Sequence, residues 1–172
     1  MSLVHGLSAS DKVLPIRVTA TGAMDIYDDV AEKCVISAAA AVMVNGDDIF
    51  TITGGPIQIV SLASVCVTAN NGTASTLQYR ADGTDGAATT ISGASASLAS
   101  VAAGTIVAAV PGTLATAPAV YANGVGIAGT VGIIVPAGII ELVIGVGSTT
   151  GTWRHVLRYM PLATGVTVTA NG

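Results

Sequence analysis

The stretch GTVGIIVPAGIIELVIGVG, Gly129 to Gly147, is the most apolar run of the chain, and Pro136, Gly138 and Gly145 interrupt it. Proline followed two residues on by glycine is a turn signature. The run therefore reads as strand, turn, strand: VGIIV, PAG, IIELVIGV. In the second strand Ile140, Leu142, Ile144 and Val146 share one side, and Ile139, Glu141 and Val143 the other. The next segment, GTWRHVLRY, keeps the same two-residue period. Trp153, His155, Leu157 and Tyr159 fall on one face, and Arg154, Val156 and Arg158 on the other. If Ser148 to Gly151 is a four-residue turn, hairpin pairing sets Glu141 opposite Arg158 as a cross-strand ion pair, contributing roughly 0.2–1 kcal/mol and fixing register. MPLATGVTVTA closes the chain as a short final strand.

Turn signals punctuate the rest at short intervals. CVISAAAAVMV ends at Asn45-Gly46, a strong hairpin dipeptide. DIFTIT runs into Gly54-Gly55-Pro56, IQIVSLASVCVTA ends at Asn70-Asn71-Gly72, and TASTLQYRA ends at the DGTDG loop, Asp82 to Gly86. Asn123-Gly124 supplies a third Asn-Gly pair. The pattern predicts an all-β, single-domain antiparallel sandwich or barrel over residues 21–172, preceded by an extended arm over residues 1–20. The stretch from Ala87 to Ala119 is biased toward Ala, Ser, Thr and Gly; its first half fits a helical turn or an irregular loop, its second half strand and turn. Near Met24 the chain turns acidic, and Asp25, Asp28, Asp29 and Glu32 share one face if the segment is helical. A solvated face or polar turn is the plainer reading than a cation site or docking patch.

Composition changes the picture in one respect. Hydrophobic residues make up 51%, aromatics 3% and charged residues 9%, against about 25% charged in an ordinary domain. So little charge cannot clothe a lone monomer in the usual way, which points to self-association. The formal charge of −4 and six scattered basic residues argue against a nucleic-acid partner. A membrane span over Gly129 to Gly147 is disfavoured by Pro136, by Glu141 and by the lack of flanking basic or aromatic anchors. MSLVHGLSASDKV has no basic region followed by an apolar run and does not read as a secretory signal.

Candidate chemistry is sparse. GVGIAG, Gly124 to Gly129, matches the dinucleotide fingerprint by letter, but Thr130, Val131 and Pro136 follow where a helix is required. Asp82 and Asp85 are too few ligands for a calcium loop. Cys34 and Cys66 read as free thiols packed as small apolar residues, and with His5 and His155 they lack zinc-ligand spacing. No G-x-S-x-G elbow exists, and His155 alternates with Trp153 and Leu157 as a packed residue would. The expectation is a protein with no cofactor, no metal and no enzymatic activity.

Two segments carry a resemblance: FTITGGPIQIVSLASVCVTA, Phe50 to Ala69, and VPAGIIELVIGVGSTTGTWRHVLRYMPLATGVTV, Val135 to Val168. A Phe-Thr strand into Gly-Gly-Pro, a P-A-G-x-I-E-L strand, and a Trp-led strand ending in R-Y-x-P-L resemble small virion proteins of tailed bacteriophages. The resemblance implies a head decoration, or cement, protein: a homo-oligomer, three-fold by preference, assembled in the host cytoplasm and bound to the major capsid protein on the capsid exterior. No catalytic residues come with it. In that setting the arm supplies the contact to the capsid, through Leu3, Val4, Leu7, Val13, Leu14 and Ile16, with Lys12 and Arg17 facing an acidic surface. The alternative is a phage fibre or adhesin module that binds a host-surface glycan or receptor. The low aromatic content, where sugars would stack, weighs toward cement.

Overall fold

A computed structural model describes residues 6–7, 13–14, 16–18, 24–26, 31–38, 40–84, 86–109, 118–121, 132–147 and 149–171. The chain divides into two compact units, Met1–Ala31 and Glu32–Gly172. The break thus falls at Ala31, beyond the residue-20 boundary expected for the arm. Among its described residues the first unit holds two antiparallel pairs. Strand β1 (Gly6–Leu7) pairs with β2 (Val13–Leu14), and β3 (Ile16–Val18) pairs with β4 (Met24–Ile26), setting Arg17 opposite Asp25.

The second unit is all-β among its described residues: two antiparallel sheets face each other and do not close into a barrel. In chain order its strands are β5 (Lys33–Ile36), β6 (Ala41–Val42), β7 (Asp48–Thr53), β8 (Ile57–Cys66), β9 (Thr76–Gly83) and β10 (Thr89–Thr90). There follow β11 (Ile106–Ala108), β12 (Ala119–Tyr121), β13 (Ile133–Val135), β14 (Gly138–Gly145), β15 (Thr152–Pro161) and β16 (Thr167–Ala170). One sheet runs β10-β9-β14-β7-β16 and the other β12-β11-β8-β15-β5, with β13 added beside β8 and β6 beside β15.

Period-two patterning builds the core. β15 turns Trp153, His155, Leu157 and Tyr159 inward and Arg154, Arg158 and Met160 outward. β9 answers from the other sheet with Leu77, Tyr79 and Ala81, and β14 with Ile140, Leu142 and Ile144. Two bulges interrupt the alternation. Arg158 lies opposite Ser61 and Tyr159 opposite Ile59, so Val60 is an extra residue in β8. Inward positions in β8 therefore switch from Ile57 and Ile59 to Leu62, Ser64 and Cys66. In the same way Ile140 pairs with Phe50 and Glu141 with Asp48, leaving Ile49 extra in β7.

The turns behave differently from the sequence-based expectation. The links β6 to β7, β7 to β8, β8 to β9, β13 to β14, β14 to β15 and β15 to β16 each join strands of different sheets. They are arches over the edge of the sandwich and not hairpins. At Asn45-Gly46 the turn itself forms, with Gly46 at φ 85° and the Asp47 N–H donating to Val44 C=O, but its flanking strands do not pair with each other. This corrects the expected Glu141–Arg158 pair. β14 and β15 lie in opposite sheets; Glu141 pairs with Arg80 of the adjacent strand β9 at 2.5 Å, and Arg158 pairs with Glu32. Val146, expected to share a side of the strand with Ile140, Leu142 and Ile144, lies past the end of β14 and is 70% exposed.

Where it is described, the first half of the Ala/Ser-rich stretch is an irregular loop after β10, and the second half enters strand β11, as expected; the loop is held in place. It lies against the outer edge of β9, which short β10 covers only at Ala81 and Arg80. Backbone N–H groups of Ile91, Ser95 and Leu98 donate to the carbonyls of Tyr79, Leu77 and Ser75. In return Ser92 Oγ and Ser95 Oγ accept from the N–H groups of Tyr79 and Leu77, at 2.9 and 3.0 Å. Serine hydroxyls complete the ladder where the backbone is irregular, and the edge is closed to pairing with another chain.

Asn70 ties three loops together. Its Nδ2 donates to Leu98 C=O at 2.9 Å, and its Oδ1 accepts from the N–H groups of Thr150 and Gly151 at 2.8 and 3.1 Å. The arch after β8 is thereby fixed to the arch before β15.

Candidate functional site

A buried polar chain runs between the sheets. His155, on β15, has its Nδ1 2.8 Å from Ser64 Oγ on neighbouring β8; Ser64 Oγ is 2.9 Å from Tyr79 Oη on β9 of the opposite sheet; Tyr79 Oη donates to Val107 C=O at 3.1 Å. The proton positions follow from counting donors. A carbonyl only accepts, so the tyrosine proton points at Val107. Ser64 must then donate to Tyr79, and its oxygen accepts from Nδ1–H of His155. The chain of donation runs His155 to Ser64 to Tyr79 to Val107, and it requires a proton on Nδ1 of His155, so a neutral imidazole here has its lone pair on Nε2.

The environment agrees with that tautomer. Burial pushes the His155 pKa down to about 4, against a smaller opposing pull from Asp47. Burial likewise raises the Tyr79 phenol, so both groups are neutral near pH 7. The backbone of His155 is held as well, its N–H donating to Ser37 Oγ at 2.9 Å.

A serine beside a histidine invites comparison with a hydrolase, and the directions are opposite. A nucleophilic serine gives its proton to the histidine; here the histidine gives its proton to the serine. Ser64 is also 0% exposed, so no substrate reaches its oxygen while the sandwich is closed. The chain is built to join the two sheets by satisfied polar contacts.

Beside it, where the chain crosses from β6 to β7, a pocket of about 230 Å³ opens to the surface. Ser37, Asp47, Asp48, Trp153, His155 and Asn171 line it together with apolar side chains. Trp153 is fully buried, and its indole N–H is the one buried side-chain polar atom among the described residues with no hydrogen-bond partner. Asp47 Oδ2 accepts from Val44 N–H at 2.6 Å, holding the arch. Among the described residues no Lys or Arg side chain lines the pocket.

The other sequence candidates are dispersed. Leu7 lies in β1, Val13 and Leu14 in β2, and Ile16 and Arg17 in β3; Leu3, Val4, His5, Lys12, Asp28, Asp29, Asp85 and Gly124 to Gly129 fall outside the described residues. Asp25 sits in strand β4, so the described part of the acidic run is extended, not helical, and Glu32 is engaged by Arg158. Cys34 is exposed, Cys66 is buried, and both are free thiols. Among the described residues no three His, Cys, Asp or Glu side chains gather as a metal site needs, and no helix is long and apolar enough to cross a membrane. The polar chain was missed in the sequence because Ser64 lies beyond the Val60 bulge. The available signal was His155 itself, a histidine on the inward face of a strand, which demands a buried partner.

Comparison with protein-family models, with curated proteins and with solved structures found no match to this chain.

Proposed function

We propose that the protein is a structural virion protein that decorates a tailed-bacteriophage capsid and stabilises it by bridging neighbouring capsid subunits. What supports the reading is the division of the chain into a small N-terminal unit and a charge-poor sandwich with apolar side chains left outside. Ile36, Val42, Val44, Val67, Ile134 and Val146 are all exposed, and such residues on a surface with few charges are suited to contacts with other copies and with a lattice. The phage-like segments Phe50 to Ala69 and Val135 to Val168 supply β7, β8, β14, β15 and β16, strands at the centre of both sheets and one edge. A protein that binds only the assembled shell stabilises it in proportion to affinity and concentration, and a trimer multiplies weak contacts through effective concentration.

The N-terminal unit is the capsid contact in this reading. Deleting residues 2–30 spares Glu32, the partner of Arg158, and should leave the soluble oligomer intact while weakening its binding to capsids. Sedimentation at micromolar concentration checks the first half, with a trimer expected; a stable 16.8 kDa monomer of the full chain refutes self-association. Co-sedimentation with capsids, read alongside cryo-electron microscopy of decorated particles, checks the second. If the truncated protein decorates heads with unchanged affinity, the docking surface lies on the sandwich.

A further inference from the structure

We infer that Asn71 is a site of spontaneous modification: it converts to aspartate and isoaspartate through a cyclic imide closed by the backbone nitrogen of Gly72. The inference does not depend on the capsid reading.

Four asparagines precede a glycine: Asn45, Asn71, Asn123 and Asn171. Glycine has no Cβ to hinder approach to its own nitrogen, so by sequence the four are alike. Asn123, Gly124 and Gly172 fall outside the described residues, which leaves Asn45 and Asn71 to compare. Both of these Asn-Gly pairs are exposed to water, but their hydrogen bonds differ.

At the first pair both reacting groups are engaged by another strand. The Gly46 N–H donates to Leu142 C=O at 2.8 Å, and Asn45 Oδ1 accepts from the Ile144 N–H at 3.1 Å. Both partners belong to β14, so these bonds must break before nitrogen and amide can react. At the second pair the nucleophile is free: among the described residues neither the Gly72 N–H nor Asn71 Nδ2, the leaving nitrogen, has a hydrogen-bond partner. Asn71 Oδ1 accepts from the Thr73 N–H at 3.1 Å. A side-chain oxygen bonded to the second residue along is an Asx turn, which folds the amide back over the intervening peptide, and that peptide's nitrogen belongs to Gly72. The Thr73 N–H also sits on the oxygen that turns negative as the nitrogen adds, as a donor to a tetrahedral oxyanion must. The backbone of Asn71 is held on both sides, its N–H donating to Thr150 Oγ1 at 3.0 Å and its C=O accepting from the Ser100 N–H. The reacting groups are oriented as well as exposed.

The chemistry needs only water. The Gly72 nitrogen loses its proton to hydroxide and bonds to Asn71 Cγ. The Cγ–Nδ2 bond then breaks, and Nδ2 takes a proton from water and leaves as ammonia. Water next opens the imide. Opening at Cγ gives aspartate, and opening at the main-chain carbonyl gives isoaspartate, with the chain now running through Cγ. Either product replaces a neutral amide by a carboxylate in the arch that Asn70 ties to Leu98, Thr150 and Gly151.

The test ages the full chain in mildly alkaline buffer, once folded and once in urea. Chymotrypsin, cutting after Phe50, separates Asn45 from Asn71, and fragment spectra tell isoaspartate from aspartate. In urea the two asparagines should convert at similar rates. In the folded chain Asn71 should convert at least about tenfold faster than Asn45, which must first give up two hydrogen bonds. Gly72→Ala places a Cβ that meets only Ser100 Oγ, at 3.9 Å; it should slow Asn71 by about tenfold or more and leave Asn45 unchanged. The proposal is overturned if Asn45 converts as fast as Asn71 in the folded chain, if neither converts there, if Asn71 yields no isoaspartate, or if Gly72→Ala converts at the parent rate. The comparison of folded and unfolded parent decides the matter even if the variant does not fold.

Discussion

Acidification should unlock the join between the two sheets, and the size of the effect follows from one histidine. In the unfolded chain His155 titrates near 6.5; in the folded chain burial holds it at about 4. Above pH 7 the imidazole is neutral in both states and the full stability is present. Between the two values the unfolded chain takes up a proton that the folded chain refuses, so stability falls as pH falls, and the loss is complete once pH drops below the folded value. At 1.36 kcal/mol per unit, the interval is worth about 3 kcal/mol, a large share of the 5–15 kcal/mol typical of a domain. Structure adds a reason for the proton's cost. Ser64 already accepts from Nδ1–H, so protonation at Nε2 creates a charged donor in a nearly closed site. The assay is urea unfolding at steps from pH 7 to pH 4, for the parent and for His155→Asn, whose amide nitrogen can stand in for Nδ1 toward Ser64. The variant carries a constant loss from its smaller side chain but lacks the titration. Carboxylates and His5 titrate in both proteins, so the difference between the two curves isolates His155. The parent curve should converge on the variant by about 3 kcal/mol over this range. Parallel curves refute the assignment of a buried, neutral His155.

Backbone and charge make two further predictions. A Cβ at Gly138, where φ is 147°, would stand 2.1 Å from the Asp82 carbonyl oxygen, whereas at Gly46, φ 85°, it meets nothing within 4 Å. Gly138→Ala should therefore cost at least about 2 kcal/mol through strain and displaced backbone, and Gly46→Ala about 1 kcal/mol from φ alone, both read by chemical denaturation; equal costs would remove the clash argument. Glu141 is 6% exposed, while the Arg158–Glu32 pair is exposed at 50% and 37%, so Glu141→Gln should lower Tm more than Arg158→Gln, whose effect stays within about 1 kcal/mol. The reverse order refutes the distinction between the two pairs.

How much of this was legible in the chain depended on which signal was local. The inward faces of β9 and β15 can be read from Leu77, Tyr79 and Ala81 and from Trp153, His155, Leu157 and Tyr159, because a two-residue period is a property of the strand alone. In β8 the period misleads. Val60 is inserted opposite no residue, so reading forward from Ile57 and Ile59 sends Leu62 and Ser64 to the wrong face, and the His155–Ser64–Tyr79 chain cannot be assembled. The serines at 92 and 95 look like loop composition until β9 is beside them, when their hydroxyls become partners for backbone N–H groups. Their role depends on an edge that the sequence does not mark.

The expected Glu141–Arg158 pair failed for a more general reason. Asn-Gly and Pro-x-Gly report that the chain reverses direction, and a reversal fits two outcomes. The second strand can turn back beside the first and share its hydrogen bonds, or it can rotate and face the first across a core about 10 Å thick. Both keep the alternation of apolar and polar positions, because in either case one face of each strand is buried. What separates them is whether the strands' polar faces are neighbours. In a hairpin Glu141 and Arg158 share a surface; in an arch the sandwich stands between them, and each must find its charge partner within its own sheet. Glu141 finds Arg80 on β9 and Arg158 finds Glu32 before β5. Each pair lies on the outer side of a different sheet, so the two acid–base couples act as independent markers of register, one for β14 against β9 and one for β15 against the chain entering β5.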